Sequence, residues 1–210
     1  VAMNAIFTHS IEIYTSSLVI AGSYDLTIYR RVSDAINGEQ RRYIPLRDAT
    51  IAPLERAHQV QPVPYLHVDR HEALLVATLQ EATPPVGYAR DEQVRGVVPV
   101  QCMFFTSTFV VRATFYKRPD LKLPEALERL NDDFVPLRDI QVFPLLSSFP
   151  PLQRDFAALA RERIVAFYQI GEVVTPTLPT PPDPPVLAEQ AEHPEAFEPE
   201  ATAPEDTPEP

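Results

Sequence analysis

The sequence predicts a mainly β protein with short helices (α+β): two tandem repeats of a small bent sheet or partly open barrel, followed by a disordered tail. Three observations predict this fold. Residues 43–54 return as residues 134–145, and the same offset of 91 residues carries Thr15 onto Thr106 without a gap. Apolar residues alternate with period two within each copy. The chain ends in a Pro-rich acidic segment.

The repeat divides the 210 residues into four segments. These are a first repeat unit, 1–81, an interdomain connection, 82–97, a second repeat unit, 98–170, and a tail, 171–210. Units of this size bury a smaller fraction of their surface than large domains do. We therefore expect the two units to share an apolar interface.

Alternation of apolar residues predicts an early strand in each unit. Gly22 aligns with Ala113, so both strands keep a small residue at their middle. A small residue there is typical of a bend or of a closely approaching backbone. The alternating residues are Leu18, Ile20, Tyr24, Leu26 and Ile28 in the first unit, and Phe109, Val111, Ala113 and Phe115 in the second.

A short helix is predicted over residues 32–38, because Ser33 can cap its start and Gly38 can end it. The second copy is predicted to be longer. Pro124 suits a first helical turn. Its apolar face comprises Leu123, Leu127 and Leu130.

The apolar face changes parity at Arg47-Asp48 and again at Arg138-Asp139. A strand that changes faces without leaving its sheet needs a β-bulge or a sharp bend. As structural bend pairs, the aspartates would accept backbone N–H groups and the arginines would close the turn. The alternative is a pair of pseudo-symmetric anion or ligand sites. We favour the structural interpretation.

Residues 65–79 predict a hairpin, with residues 69–72 as its charged turn. Residues 155–169 have a helix-forming composition, yet the repeat predicts strands there. We follow the repeat, since tertiary context overrides propensity. Each unit is then β-β-α-β-β-β.

The net charge of -11 belongs mainly to the tail, which holds ten acidic residues and no Lys or Arg. The rest of the chain holds the other 19 acidic residues and all 18 basic residues, so the folded part is close to neutral. This balance disfavours non-specific nucleic-acid binding. The tail has too few large apolar residues to order itself, and we expect disorder there.

Cys102 is the single cysteine, so an intramolecular disulfide is impossible. Neither a signal peptide nor an apolar run long enough to span a membrane is recognisable. The sequence therefore predicts a cytoplasmic protein without a membrane segment.

Catalytic motifs are absent, and we expect no enzymatic activity and no cofactor. His67 and His71 are four apart, but they fall on a strand and a turn, so no metal site is predicted. Two basic dyads flank aromatic residues and could contact a phosphate or RNA, although a solvated loop is the alternative. The candidate ligand-binding residues are Arg30, Arg31, Arg41, Arg42 and Tyr43.

Four runs of the first unit, residues 20–22, 31–37, 43–49 and 68–71, resemble an uncharacterised bacterial family of small β-rich domains of unknown function. The resemblance covers most of residues 11–80 and implies no activity. Lys122 and Glu128 stand in the second unit where the pattern has Arg31 and Asn37, so a site made by those residues would be confined to the first unit.

We therefore expect a non-enzymatic interaction or scaffold protein whose partner is another protein. The alternative is a small-ligand or nucleotide sensor that holds an anion beside Tyr43. Arg41-Arg42 align with Asp132-Asp133. If the units pack about a pseudo-two-fold axis, these opposite charges would face each other; otherwise both dyads are exposed loop residues.

Overall fold

The structure is a computed structural model that describes residues 6–38, 41–88, 96–145 and 150–171. All of these lie in one compact unit, Val1–Val173. A second unit, Val174–Pro210, lies wholly outside the described residues. The predicted disordered tail is therefore outside them too, except for Gly171.

Ten strands and two short α-helices make up the described chain. Short 3-10 turns connect several of them. The elements are β1 Phe7–Tyr14, β2 Leu18–Leu26, α1 Val32–Gly38, β3 Tyr43–Pro53, β4 Gln61–Asp69, β5 Leu75–Gln80, β6 Val98–Phe105, β7 Phe109–Lys117, α2 Leu123–Glu128, β8 Phe134–Pro144, β9 Leu152–Ala160 and β10 Ala166–Gln169.

The ten strands form a single open sheet in the order β10-β6-β7-β8-β9-β5-β1-β2-β3-β4. Every pairing is antiparallel. The mainly β prediction is thus confirmed. Within the described residues, β4 pairs only with β3 and β10 pairs only with β6, so these two strands are the edges.

Two apolar clusters form the core, and each draws residues from both halves of the chain. Tyr14 and Leu75 join a cluster that otherwise comes mostly from residues 102–159. Phe134 and Ala158 join the cluster of the first half. Each fully buried Leu or Ile contributes about 1.5–3 kcal/mol to folding. The two halves are therefore joined by shared burial.

The first helix has the predicted bounds and buries Val32, Ala35 and Ile36. The second helix is shorter than the first, so the prediction of a longer one was wrong. It ends at Glu128 because the chain tightens there: the backbone N–H of Leu130 donates to the carbonyl of Leu127 at 3.3 Å. Leu130 still packs against the core.

Residues 65–79 form strands but no hairpin, which corrects that prediction. A 3-10 turn at Arg70–Glu72 separates β4 from β5. The N–H of Leu74 then donates to the carbonyl of Tyr14 at 2.7 Å. This bond carries β5 away from β4 to pair with β1 and β9.

Residues 155–169 fold as β9, a 3-10 turn and β10, so the choice of strands over a helix is confirmed. Among the described residues, no helix is long and apolar enough to cross a membrane.

Candidate functional site

The two Arg-Asp pairs lie at bends with one backbone conformation. Asp48 and Asp139 both have φ 51, and they are the only non-glycine residues with positive φ in the described chain. Opposite them, the β2–β3 register shifts between Ala21 and Ser23. The β7–β8 register shifts correspondingly at Arg112 and Thr114. Each site has the irregular ladder and left-handed residue that characterise a bulge.

Gly22 lies directly against the first bend. A Cβ added to it would come within 3.2 Å of the Ala49 Cα and of the Leu46 Cβ. Ala113 occupies the aligned position in the second half and is fully buried. Close backbone approach therefore explains the glycine on the first strand, and full burial accompanies the alanine on the second.

The first bend carries an exposed charge network. The Nε of Arg47 donates to Asp25 at 2.9 Å, and its Nη1 donates to Asp48 at 2.8 Å. Thr8 donates its hydroxyl to the same Asp25 at 2.6 Å. The hydrogen bond from Arg47 is the main cause that lowers the pKa of Asp25. This network closes the bend but leaves Arg47 half exposed to solvent.

The second bend uses different partners. Thr114 donates its hydroxyl to Asp139 at 3.1 Å and accepts a hydrogen bond from Gln101 at 2.7 Å. The guanidinium of Arg138 lies 5.8 Å from the ring centroid of Tyr116. A hydrogen bond from an uncharged hydroxyl and a ring contact thus replace the ion pairs of the first bend.

Arg138 also borders a groove between residues of the two halves. The groove contains one cavity of about 370 Å³ and another of about 250 Å³. Arg31, Arg138 and Phe156 line both cavities. Asp139 and Asp155 line the larger one. We call this the junction groove, and its lining places two guanidinium groups beside four carboxyl groups, those of Asp34, Glu81, Asp139 and Asp155.

The predicted arginine site is not assembled in one place. Arg31 lines the junction groove, whereas Arg30 lines a separate cavity of about 180 Å³ beside Ala35. Arg42 forms an ion pair with Asp69 at 2.9 Å and lies 5.4 Å from the ring centroid of Tyr43. Arg41 is exposed. Among the cavities described, Arg31 is the predicted ligand residue that shares one with an Arg-Asp bend.

Among the described residues, the dyads Arg41-Arg42 and Asp132-Asp133 do not pair with each other. Asp133 pairs with Arg70 at 2.7 Å, and Arg42 pairs with Asp69 instead. The expectation that the dyads face each other is corrected, because the halves meet through β5 and β9. These strands hold different places in the two halves, so aligned loops do not face each other across a two-fold axis.

Sequence reasoning missed a polar cluster that links β1 to β9. Arg154 donates to the Glu12 carboxylate at 2.9 Å and to the Tyr14 hydroxyl at 3.1 Å. Burial, followed by its hydrogen bond to Glu12, raises the pKa of Tyr14. Arg154 and Glu12 are too far apart in sequence for any local motif to reveal the contact.

The two histidines have separate contacts. His67 packs its ring against Tyr65, with centroids 4.9 Å apart. The Nδ1 of His71 lies 4.0 Å from Glu162. Within the described part of the chain, no group of three or more His, Cys, Asp or Glu residues could hold a metal ion.

No family model matches this chain. Comparison with the curated proteins and with the solved structures finds no match either. Function must therefore be inferred from the residues described above.

Proposed function

We propose that this is a non-enzymatic interaction or scaffold protein, built from two tandem copies of one β-β-α-β-β-β unit. The element bounds support the duplication. Five strands of residues 98–169 begin 91 residues after their counterparts in residues 7–80. The two left-handed aspartates are separated by the same offset.

The edges of the sheet carry the proposal. Within the described residues, β4 and β10 leave one side of their backbone without a strand partner. Tyr65 on β4 is 56% exposed, and Tyr168 on β10 is 52% exposed. Edge strands with exposed apolar side chains are templates for pairing with another chain. Partners would thus bind by adding a strand.

Site-specific photocrosslinking tests this function. We would place benzoylphenylalanine at Tyr65 or Tyr168 of the full chain in cells, with Tyr116 as the control. Tyr116 is partly exposed but lies on β7, an inner strand. Discrete protein adducts are expected from both edge positions and not from the control.

Two results would oppose the interaction function. One is the absence of adducts from both edges. The other is reproducible turnover by pure protein in a hydrolase and phosphatase screen, lost on Asp139→Asn and kept in the aligned variant Asp48→Asn. Asp139 lines the junction groove, so the pair separates catalysis there from effects of the bend.

A small-ligand or nucleotide sensor is the second candidate, because Arg31 and Arg138 border the same cavities. Paired guanidinium groups suit phosphate recognition. Thermal-shift assays with nucleotides and cyclic dinucleotides test it, since a ligand at 100 times its Kd stabilises by about 2.7 kcal/mol. Arg138→Met should abolish the shift and Arg47→Met should keep it. No shift with any anion removes this candidate.

A further inference from the structure

One strand pair, β5 with β9, joins the two halves within the sheet, and we call it the inner junction. In its register, β5 runs antiparallel to β9, with Ala160 N–H donating to the Leu74 carbonyl at 2.9 Å. All six paired residues are buried. The pairs are Leu75 with Leu159, Val76 with Ala158, and Ala77 with Ala157.

The two open edges are the counterparts of the strands that meet there. Under the 91-residue offset, β10 corresponds to β5 and β4 corresponds to β9. We propose that β10 of one copy pairs with β4 of a second copy of this chain, head to tail, in the register of the inner junction. The inference rests on the duplication in the proposed function and names its partner. The expected pairs are Ala166 with Val68, Phe167 with His67, and Tyr168 with Leu66.

Exposure shows what such a contact would cover. Leu74 and Ala77 are 3% and 0% exposed at the inner junction. Their counterparts, Val165 and Tyr168, are 74% and 52% exposed. Both counterparts are apolar, and Tyr168 is much larger than the alanine that it replaces. Burying them against a second copy would be favourable in proportion to the apolar area removed from water.

At the open edges, apolar residues replace all three members of the polar cluster found at the inner junction. Arg154, Glu12 and Tyr14 meet across that junction. Their counterparts at the open edges are Val63, Met103 and Phe105, each only partly buried. All three positions change from polar to apolar together. Such a joint change leaves no unpaired charge at the contact, which would otherwise be costly.

The rim charges are compatible with the same contact. At the inner junction Arg70 pairs with Asp133, and Asn37 hydrogen-bonds to the backbone of Phe134. At the open edges the corresponding arginines, Arg161 and Arg42, would repel each other. Arg42 already pairs with Asp69 at 2.9 Å, and Glu128 stands where the first half has Asn37. Two carboxylates thus offset the two arginines on this rim.

A second rim pair repeats with its sides exchanged. His71 faces Glu162 across the inner junction at 4.0 Å. The offset carries His71 onto Glu162, so the proposed contact would again place a histidine opposite a glutamate.

Prolines leave the required part of β4 open. Pro62 and Pro64 lack the N–H that a partner strand needs. The three positions proposed to pair, Leu66, His67 and Val68, contain no proline. The strand is therefore able to donate where the inner-junction register requires it.

A head-to-tail contact uses two different surfaces, so copies either close into a ring or extend as a filament.

Light scattering coupled to size-exclusion chromatography of the full chain tests the contact. The expected mass is a discrete multiple of 23.6 kDa for a ring, or a mass that grows with concentration for a filament. Val165→Asp with Tyr168→Asp should return the protein to the monomer mass, because it buries charge at the contact. Tyr116→Asp is the matched control and should leave the mass unchanged. A wild-type monomer at about 1 mM, where even millimolar affinity is visible, overturns the proposal.

Disulfide crosslinking tests the register. In a Cys102→Ala background, His67→Cys with Phe167→Cys should give a ladder of linked chains after oxidation. The shifted pair His67→Cys with Ala166→Cys should link poorly, since a slip of one residue turns a side chain to the other face. A link formed within one chain would show closure of the sheet on itself and would overturn the proposal.

One further outcome would indicate that residues 174–210 of the same chain prevent a second copy from binding at the open edges. If the full chain is monomeric and associates only after residues 174–210 are deleted, the second-copy proposal is wrong for the intact protein. Crosslinked adducts of a monomer with another protein would likewise overturn this inference, while the proposed interaction function would stand.

Discussion

The bends at Arg47-Asp48 and Arg138-Asp139 share a backbone but differ in their contacts. Both aspartates have φ 51. Arg47 forms ion pairs, whereas Asp139 accepts from a threonine and Arg138 lies over a tyrosine ring. What recurs in the two halves is a conformation, and the polar chemistry around it is exchangeable. The recurring Arg-Asp pair is thus better explained by the bend than by a shared binding function.

The largest effect is expected from valine at the left-handed positions. A β-branched residue at positive φ costs about 1–3 kcal/mol. Asp139→Val also removes the hydrogen bond from Thr114, worth about 1 kcal/mol. We expect Asp139→Val to destabilise more than Asp48→Val in urea unfolding. Glycine at either position should cost less than valine, since it accepts positive φ. Equal costs for glycine and valine would mean that the backbone conformation is not what recurs.

Exchange of the small residues opposite the bends sharpens the comparison. Gly22→Ala should destabilise by about 1 kcal/mol, because the added Cβ meets the Ala49 backbone at 3.2 Å. Ala113→Gly should cost about as much through lost burial and added chain freedom. Unfolding curves of both variants measure this. A stabilising Gly22→Ala would show that the first bend has the same room as the second.

The halves also differ at a buried titratable position, where His9 aligns with Val100. Burial lowers the pKa of His9, and nearby Glu81 opposes this more weakly. The unfolded histidine, with a pKa of about 6.5, then binds a proton before the folded one does. The free energy of unfolding should therefore fall as the pH drops below about 6.5. Above that pH, the neutral His9 makes its full contribution to stability.

His9→Phe should remove that component between pH 7.5 and 5.5, a range above most carboxylate titration. His67→Gln, at an exposed position, is the control and should retain the wild-type slope. A wild-type slope in His9→Phe would exclude His9 as its source.

The smallest effect is expected from the exposed ion pairs of the first bend. Arg47 is 49% exposed, and ion pairs this exposed stabilise a protein little. Arg47→Met should lower the free energy of unfolding only slightly, and 1 M salt should remove most of the difference by screening. A larger loss that persists in salt would mean that the network, and not only the backbone, stabilises the first bend.

Local signals in the sequence account for much of the fold. The alternation through Ile20 and Tyr24 predicts a strand that the structure contains, and the parity change at Arg47 coincides with the register shift. The β5–β9 pair has no local signal, because it joins residues that are far apart in the sequence, such as Leu75 and Leu159. The candidate binding site was predicted less well than the fold. The two arginine dyads adjoin one helix in sequence, but tertiary packing separates Arg31 from Arg42.

The central position of β5 has a consequence for synthesis of the chain. Leu75 pairs with Leu159, roughly 80 residues later. At about 5–20 residues per second, the ribosome needs roughly 4–16 s to supply that partner. During this interval the first half can fold with β1 beside β5, while the other flank of β5 remains open. Nascent chains on one messenger therefore expose an aggregation-prone strand, and chaperone demand should peak before residue 159 leaves the exit tunnel.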